Sequence, residues 1–277
     1  MFKRILVHVD ADDPGAESRV LCAAHLARDF HASLIGMAAG LPQPAVEVFA
    51  AGAAIFAGGL VTSDPKECAE RFEAAHAAFT RWTRDLGIET EWRTSVDFPS
   101  TGLARAGAAA DLIVVGSRTD VPDWSASRFV DCGDLVLSAG RPILAVPRNV
   151  DRIDAGHAVV AWKNTSEARR ALADALPLLA LATTVTLVHI HEAGDDQDPS
   201  PADAKAFLSG HGIGSEVVTL KRDPDGAGRQ IVAFAKQKKA TLIVAGAYGH
   251  SRVREWALGG VTRSLLTDCP IACLLSQ

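Results

Sequence analysis

The chain has 277 residues, 48% of them apolar, and a formal net charge of −5. That length and apolar content are enough for two modest domains with sizeable cores. The negative balance, with no basic stripe interleaved with aromatics, rules against a nucleic-acid protein held by phosphate neutralisation.

In chain order, the apolar run 4–9 predicts a strand, 16–30 has helical periodicity, and 33–37 predicts a second strand. The Ala/Gly-rich stretch 45–61 contains Glu47 and follows Pro42 and Pro44. It is shorter than the ~20 residues of a membrane span, so it is read as a helix or lid over the first half and no membrane role is expected. Residues 65–86 predict a long helix with Glu67, Glu70 and Glu73 on its polar side. A strand over 90–96, a short helix over 101–109, a buried strand over 111–116, a helix over 134–139 and a strand over 142–147 complete a first unit. The polar, glycine-ended stretch 148–156 places a boundary between domains spanning 1–150 and 151–277.

The same order then repeats. A strand over 157–162 leads to a helix over 166–181, with Ala168, Ala171, Leu172, Ala175, Leu176 and Leu179 at helical spacing. Strands over 185–190, 216–220, 241–246 and 270–275 alternate with helices over 201–208, 226–238 and 261–266. The internal echoes are closest between 111–117 and 240–247, and between 141–146 and 269–274. Such alternation implies an α/β fold of two tandem doubly wound domains, each with a five-stranded mostly parallel sheet and helices on both faces. Ligands in such folds sit beyond the carboxyl ends of the strands, where strand order reverses.

The most specific motif is Gly246-Ala-Tyr-Gly249, then nine residues, then Gly259-Gly260-Val261-Thr262. A strand, a glycine-bearing loop and a helix N-terminus make an anion site, because glycine lets backbone approach closely and the first helical N–H groups are free. No Gly-Lys-Ser/Thr follows, and the spacing is not that of a dinucleotide loop. A purely structural strand-to-helix turn is the competing reading.

This G-x2-G-x9-G spacing resembles the signature of the universal stress protein family, and the resemblance covers the whole chain as a tandem member. It implies a Rossmann-like fold of the adenine nucleotide alpha hydrolase kind and a cytoplasmic stress-response role. It also implies a ligand in the second half, ATP or a related adenine nucleotide, with Mg as an optional companion. In ATP-binding members the end of the first strand holds the nucleoside, a segment of the second strand flanks adenine, and the glycine loop holds ribose and phosphates. Carried onto this chain, the candidates are Ala161, Trp162 and Lys163, then Ile190, then Gly246, Gly249, Gly259, Gly260, Val261 and Thr262. Two departures stand out. Lys163 occupies the aspartate position, and Gly260 follows the third glycine where Ser or Thr is usual, with Thr262 two residues further on. Trp162 reads more readily as core than as a base platform.

The first half departs in the opposite sense. Asp10 fits the aspartate position, but Gly116-Ser-Arg-Thr119 lacks the second glycine and Asp131-Cys132-Gly133 replaces the paired glycines. A carboxylate at a helix N-terminus repels phosphate, so this half is expected to be degenerate for nucleotide. The resemblance also implies that the two last strands pair as in a dimer, here within one chain as a pseudo-dimer, with a homodimer of tandem chains left open.

No catalytic residue is assigned, since no general base has a clear partner and Ser138 and Ser166 lack a nucleophile elbow. Slow ATP hydrolysis stays open. No metal site is expected: His189 and His191 share a strand face with His250 in the loop, and Asp195, Asp196 and Asp198 read as a solvated loop. Arg252, Arg254 and Arg263 are read as surface residues. The five cysteines lack a ligand framework and read as small buried side chains. The alternative function is a stress-response interaction or dimerisation module with a vestigial glycine loop.

Overall fold

The computed structural model describes residues 1–42, 65–117, 129–191, 198–248, 260–267 and 269–277. The 45–61 segment, Gly249, Gly259, Asp195, Asp196, His250, Arg252 and Arg254 lie outside them. The first half runs β1 (Arg4–His8), α1 (Ala16–Phe30), β2 (Ser33–Ala39), α2 (Pro65–Thr83), β3 (Thr90–Ser95), α3 (Pro99–Ala106), β4 (Leu112–Gly116), α4 (Cys132–Ser138) and β5 (Ile143–Val146). The second runs β6 (His157–Trp162), α5 (Ser166–Asp174), α6 (Leu176–Leu179), β7 (Thr184–His191), α7 (Ser200–Gly210), β8 (Glu216–Lys221), α8 (Ala227–Gln237), β9 (Ala240–Gly246), α9 (Gly260–Thr267) and β10 (Ala272–Ser276).

The strands form one sheet in the order β3-β2-β1-β4-β5-β10-β9-β6-β7-β8. Each half contributes five parallel strands, and the seam between them is antiparallel: Leu275 pairs with Ile143, Leu274 with Leu144 and Cys273 with Ala145. All six of these side chains are buried. Each half alone would expose this apolar strand as an open edge, so joining the edges satisfies both ladders at once. The expected internal pairing of the last strands is thus present, and it fuses two five-stranded sheets into one of ten.

Alternation along the strands splits the core into two layers that each run through both halves. Ile5 and Val7 of β1, Val244 of β9 and Leu274 of β10 meet α1, α2, α5, α6 and α7 on one face. Leu6, Ile243, Ala245 and Leu275 meet α3, α4, α8 and α9 on the other. Strands buried on both sides need no polar face, which is why they read as continuous apolar runs.

Two helices differ from the sequence expectation for local reasons. The helix expected over 166–181 is divided at Ala175 into α5 and α6. Pro177 has no N–H to donate to the carbonyl of Ala173, so the run cannot continue unbroken. The helix expected at 101 begins at Pro99, whose missing N–H costs nothing in a first turn.

Candidate functional site

In each half the strand order reverses once, between β1 and β4 and between β6 and β9. These are the two places where a parallel sheet opens a crevice at its carboxyl ends.

In the second half, Ala161 on β6 pairs with Ala245 on β9, and Trp162 pairs with His189 on β7. Trp162 is buried in the core layer facing α5 and α7. Its indole N–H donates to Ser200 Oγ at 3.1 Å, and Ser200 in turn donates to Asp198 Oδ2 at 2.7 Å. The ring is therefore a packing element with its polar edge already satisfied. Lys163, directly after β6, is exposed, and Ile190 is half-buried near the end of β7, paired with Leu220.

Gly246 ends β9 opposite Ser276. A Cβ added there would lie 2.5 Å from the backbone nitrogen of Ala168 and 2.6 Å from the carbonyl carbon of Glu167. The first turn of α5, capped by the Thr165 hydroxyl, thus rests directly on the end of β9. The glycine is required by helix–sheet packing, whatever else it does. Gly260 is the opposite case. It opens α9, is exposed, and has no described residue within 4 Å of where a Cβ would be. Val261 is half-buried, while Thr262 is buried on the same stripe as Leu265 and Leu266. An anion could approach the exposed N-terminus of α9 at Gly260, with Lys163 as an exposed cation at the sheet's carboxyl edge. The described residues of this half thus suit the phosphate end of a nucleotide better than its nucleoside end, because Lys163 accepts no hydrogen bond and Trp162 is enclosed.

The first-half crevice is a small open cleft. Its lining includes His8, Asp13, Arg19, Ser117 and Arg148, none of which the sequence reading singled out. Arg19 belongs to α1 and is 2% exposed. It donates from Nε to the carbonyl of His8 at 2.8 Å and from Nη1 to Asp13 Oδ2 at 2.8 Å. Asp13 also accepts from the Gly15 N–H at 2.9 Å. Burial by itself would raise the Asp13 carboxyl, but the Arg19 charge and these hydrogen bonds prevail and hold it below its ordinary value. His8 is pushed down to about 4, by burial first and the Arg19 charge second, so it is neutral at physiological pH. Gly116 at the end of β4 is again a packing glycine: a Cβ would sit 2.5 Å from Arg19 Nη1.

One signal in the sequence could have found this cluster. Ala16, Val20, Ala23, Ala24 and Ala27 form the buried stripe of α1, and Arg19 falls inside that stripe. A charged residue at such a position needs a partner, and Asp13 lies six residues before it.

At the N-terminus of α4, the Asp131 carboxylate accepts from the N–H groups of Gly133 at 2.8 Å and Asp134 at 3.0 Å. This helix end is capped by the chain's own side chain, at the Asp131-Cys132-Gly133 segment that stands in place of paired glycines. Among the described residues no group of three or more His, Cys, Asp or Glu is placed to hold a metal, and no helix is long and apolar enough to cross a membrane. All five cysteines are buried, and none is in a disulfide.

Residues 155–276 match the model of the universal stress protein family. Solved structures share the fold across the whole chain. A universal stress protein from Archaeoglobus fulgidus DSM 4304 is 16% identical with a TM-score of 0.72, covering 99% of this chain and 96% of its own. A functionally unknown protein from Pseudomonas aeruginosa PAO1 is 17% identical with a TM-score of 0.61, covering 99% and 92%. A putative universal stress protein from Pseudomonas aeruginosa UCBPP-PA14 is 17% identical with a TM-score of 0.58, covering 99% and 93%. Among the curated proteins nothing matches. The chain thus shares the fold of these two-unit structures over its whole length, and residues 155–276 match the model of the universal stress protein family.

Proposed function

We propose that this protein is a cytoplasmic stress-response protein that binds ATP or a related adenine nucleotide in its second half, with the domain boundary at 150/151. The observation that carries the reading is Gly260 at the start of α9, exposed and with no described residue within 4 Å of a Cβ position, in a sequence that has the glycine spacing of the family's nucleotide loop. Gly246, Gly249, Gly259, Gly260, Val261 and Thr262 form the phosphate side. Ala161, Lys163 and Ile190 border the remainder, with Trp162 supporting them from the core. Lys163 adds a positive charge that favours phosphate over nucleoside. Mg would accompany the phosphates as bound Mg-ATP.

A second reading is favoured by a specific observation. Gly246 is accounted for by its contact with α5, and Lys163 replaces a nucleoside partner, so the loop can be a remnant in an interaction or dimerisation module. Denaturing the purified protein, identifying released small molecules by mass spectrometry, and titrating ATP by calorimetry separate the two. A near-stoichiometric adenine nucleotide, or micromolar binding lost in Gly249→Val, supports the nucleotide site. No released nucleotide and no heat of binding would leave only the interaction module.

A further inference from the structure

The first half lacks the family's phosphate loop, yet the cleft at its strand reversal is built of polar groups. Three residues lining it have a buried side-chain atom with no hydrogen-bond partner among the described residues: His8 Nε2, Arg19 Nη2 and Ser117 Oγ. Buried polar atoms are almost always paired, because each one left over costs the full loss of its hydration. One orphan can be a local compromise. Three around one cleft, on β1, on α1 and just after β4, indicate a group that satisfies them together.

The chemistry of the donors narrows what that group is. Arg19 can only donate, Ser117 can donate, and the neutral His8 ring can present Nε2–H when Nδ1 is the bare nitrogen. Arg148 and Asp13 also line the cleft, and Asp10 lies near enough to act on His8. The complementary ligand is an acceptor with negative charge. Asp13 and the His8 carbonyl already hold Arg19 in place, so the guanidinium is oriented before any ligand arrives and little ordering entropy remains to be lost. A side-chain cation at the floor also differs in kind from a backbone cradle, because the α4 N-terminus is closed by Asp131.

We propose that the first-half cleft binds a small oxyanion, a phosphate or carboxylate group, through Arg19 Nη2 with Ser117 Oγ and His8 Nε2 as neutral partners. The site is independent of the nucleotide reading of the second half. The two sources of such a group, free phosphate and a small carboxylate, are distinguished by direct titration.

The test is amide and arginine-side-chain NMR on the full chain, titrated separately with inorganic phosphate, malonate and AMP. Resonances of Gly15, Arg19 Nε–H, Gly116 and Ser117 report this half alone. The expected result is saturable shifts at these four positions with phosphate or malonate, and AMP binding no tighter than phosphate. Ser117→Ala and His8→Gln should each weaken the dissociation constant about tenfold, the worth of one hydrogen bond to a charged group. Arg19→Lys should weaken it further; should that variant fail to fold, Arg148→Gln with Ser117→Ala carries the comparison. No saturation with either anion, or equal affinity in the wild type, Ser117→Ala and His8→Gln, would overturn the proposal. So would AMP binding at least about tenfold tighter than phosphate, since 1.4 kcal/mol of base recognition would make the cleft a nucleotide site.

Discussion

Gly246→Ala separates packing from ligand approach at the residue that begins the glycine motif. The new Cβ would lie 2.5 Å from Ala168 N, 2.6 Å from the Glu167 carbonyl carbon and 2.9 Å from Ala168 Cα. Carbon contacts settle near 3.5–4.0 Å, so the first turn of α5 must retreat by about 1 Å. All three atoms are backbone, so no side-chain rotation relieves the clash. Overpacking costs about 1–3 kcal/mol, and the rigid neighbour puts this case toward the upper end. Replacing glycine returns about 0.5 kcal/mol by restricting the unfolded chain. The net loss of about 2 kcal/mol corresponds to a Tm lowered by about 5 °C in a protein of this size. Gly260→Ala is the control, since its Cβ would meet no described residue within 4 Å and its Tm should stay within about 1 °C of wild type. Thermal denaturation followed by circular dichroism, paired with ATP calorimetry, reads both. A Gly246→Ala protein with unchanged Tm and abolished ATP binding would refute the packing account and make the residue a ligand-approach glycine.

Asp13→Asn leaves Arg19 buried without its counter-charge and should cost about 3–5 kcal/mol in urea denaturation, whereas removing the half-exposed Arg4–Glu91 pair should cost about 1 kcal/mol or less. His8, with a pKa of about 4 in the folded protein against an ordinary 6.5, makes stability depend on acid. As pH falls through 6.5 the unfolded chain takes up the proton first, so stability present above 6.5 declines by about 3 kcal/mol by pH 4; His8→Gln should remove that slope, and an unchanged slope would refute a buried neutral histidine. Asp13 acts in a separate window: its depressed pKa gives stability that is complete above the ordinary aspartate range and lost only at lower pH as the carboxylate protonates. Lys163→Asp should tighten adenosine binding measured by calorimetry if the missing carboxylate limits affinity, and no gain would show a site organised around the lysine.

Much of the fold was legible because it rests on short-range rules. The apolar runs 111–116 and 241–246 declared strands buried on both faces, and they occupy the interior of the sheet as β4 and β9. The repeat pointed to two equivalent units, and the apolar last strands pointed to the seam that joins them. Asp131 was recognisable as an anion-repelling residue, and it caps α4. Where local chemistry was overlooked the reading failed locally, as at Pro177, which divides at Ala175 the helix expected to run unbroken to 181.

The sites were less legible, because a glycine's purpose is not written at the glycine. Gly116 and Gly246 hold equivalent places at the ends of β4 and β9, yet one makes room for the Arg19 guanidinium and the other for the backbone of α5. Trp162, read as core more readily than as a base platform, is buried, but only the fold shows Ser200 accepting its N–H. The sequence by itself determined the alternating α/β order, its duplication and the glycine spacing of the second half, since periodicity and turn chemistry act between residues close along the chain. Only the tertiary structure decided that His8, Asp13, Arg19, Ser117 and Arg148 share one cleft. These residues come from segments up to 140 positions apart, and charge and burial act through space, at distances set by how the strands are ordered and not by how the residues are numbered.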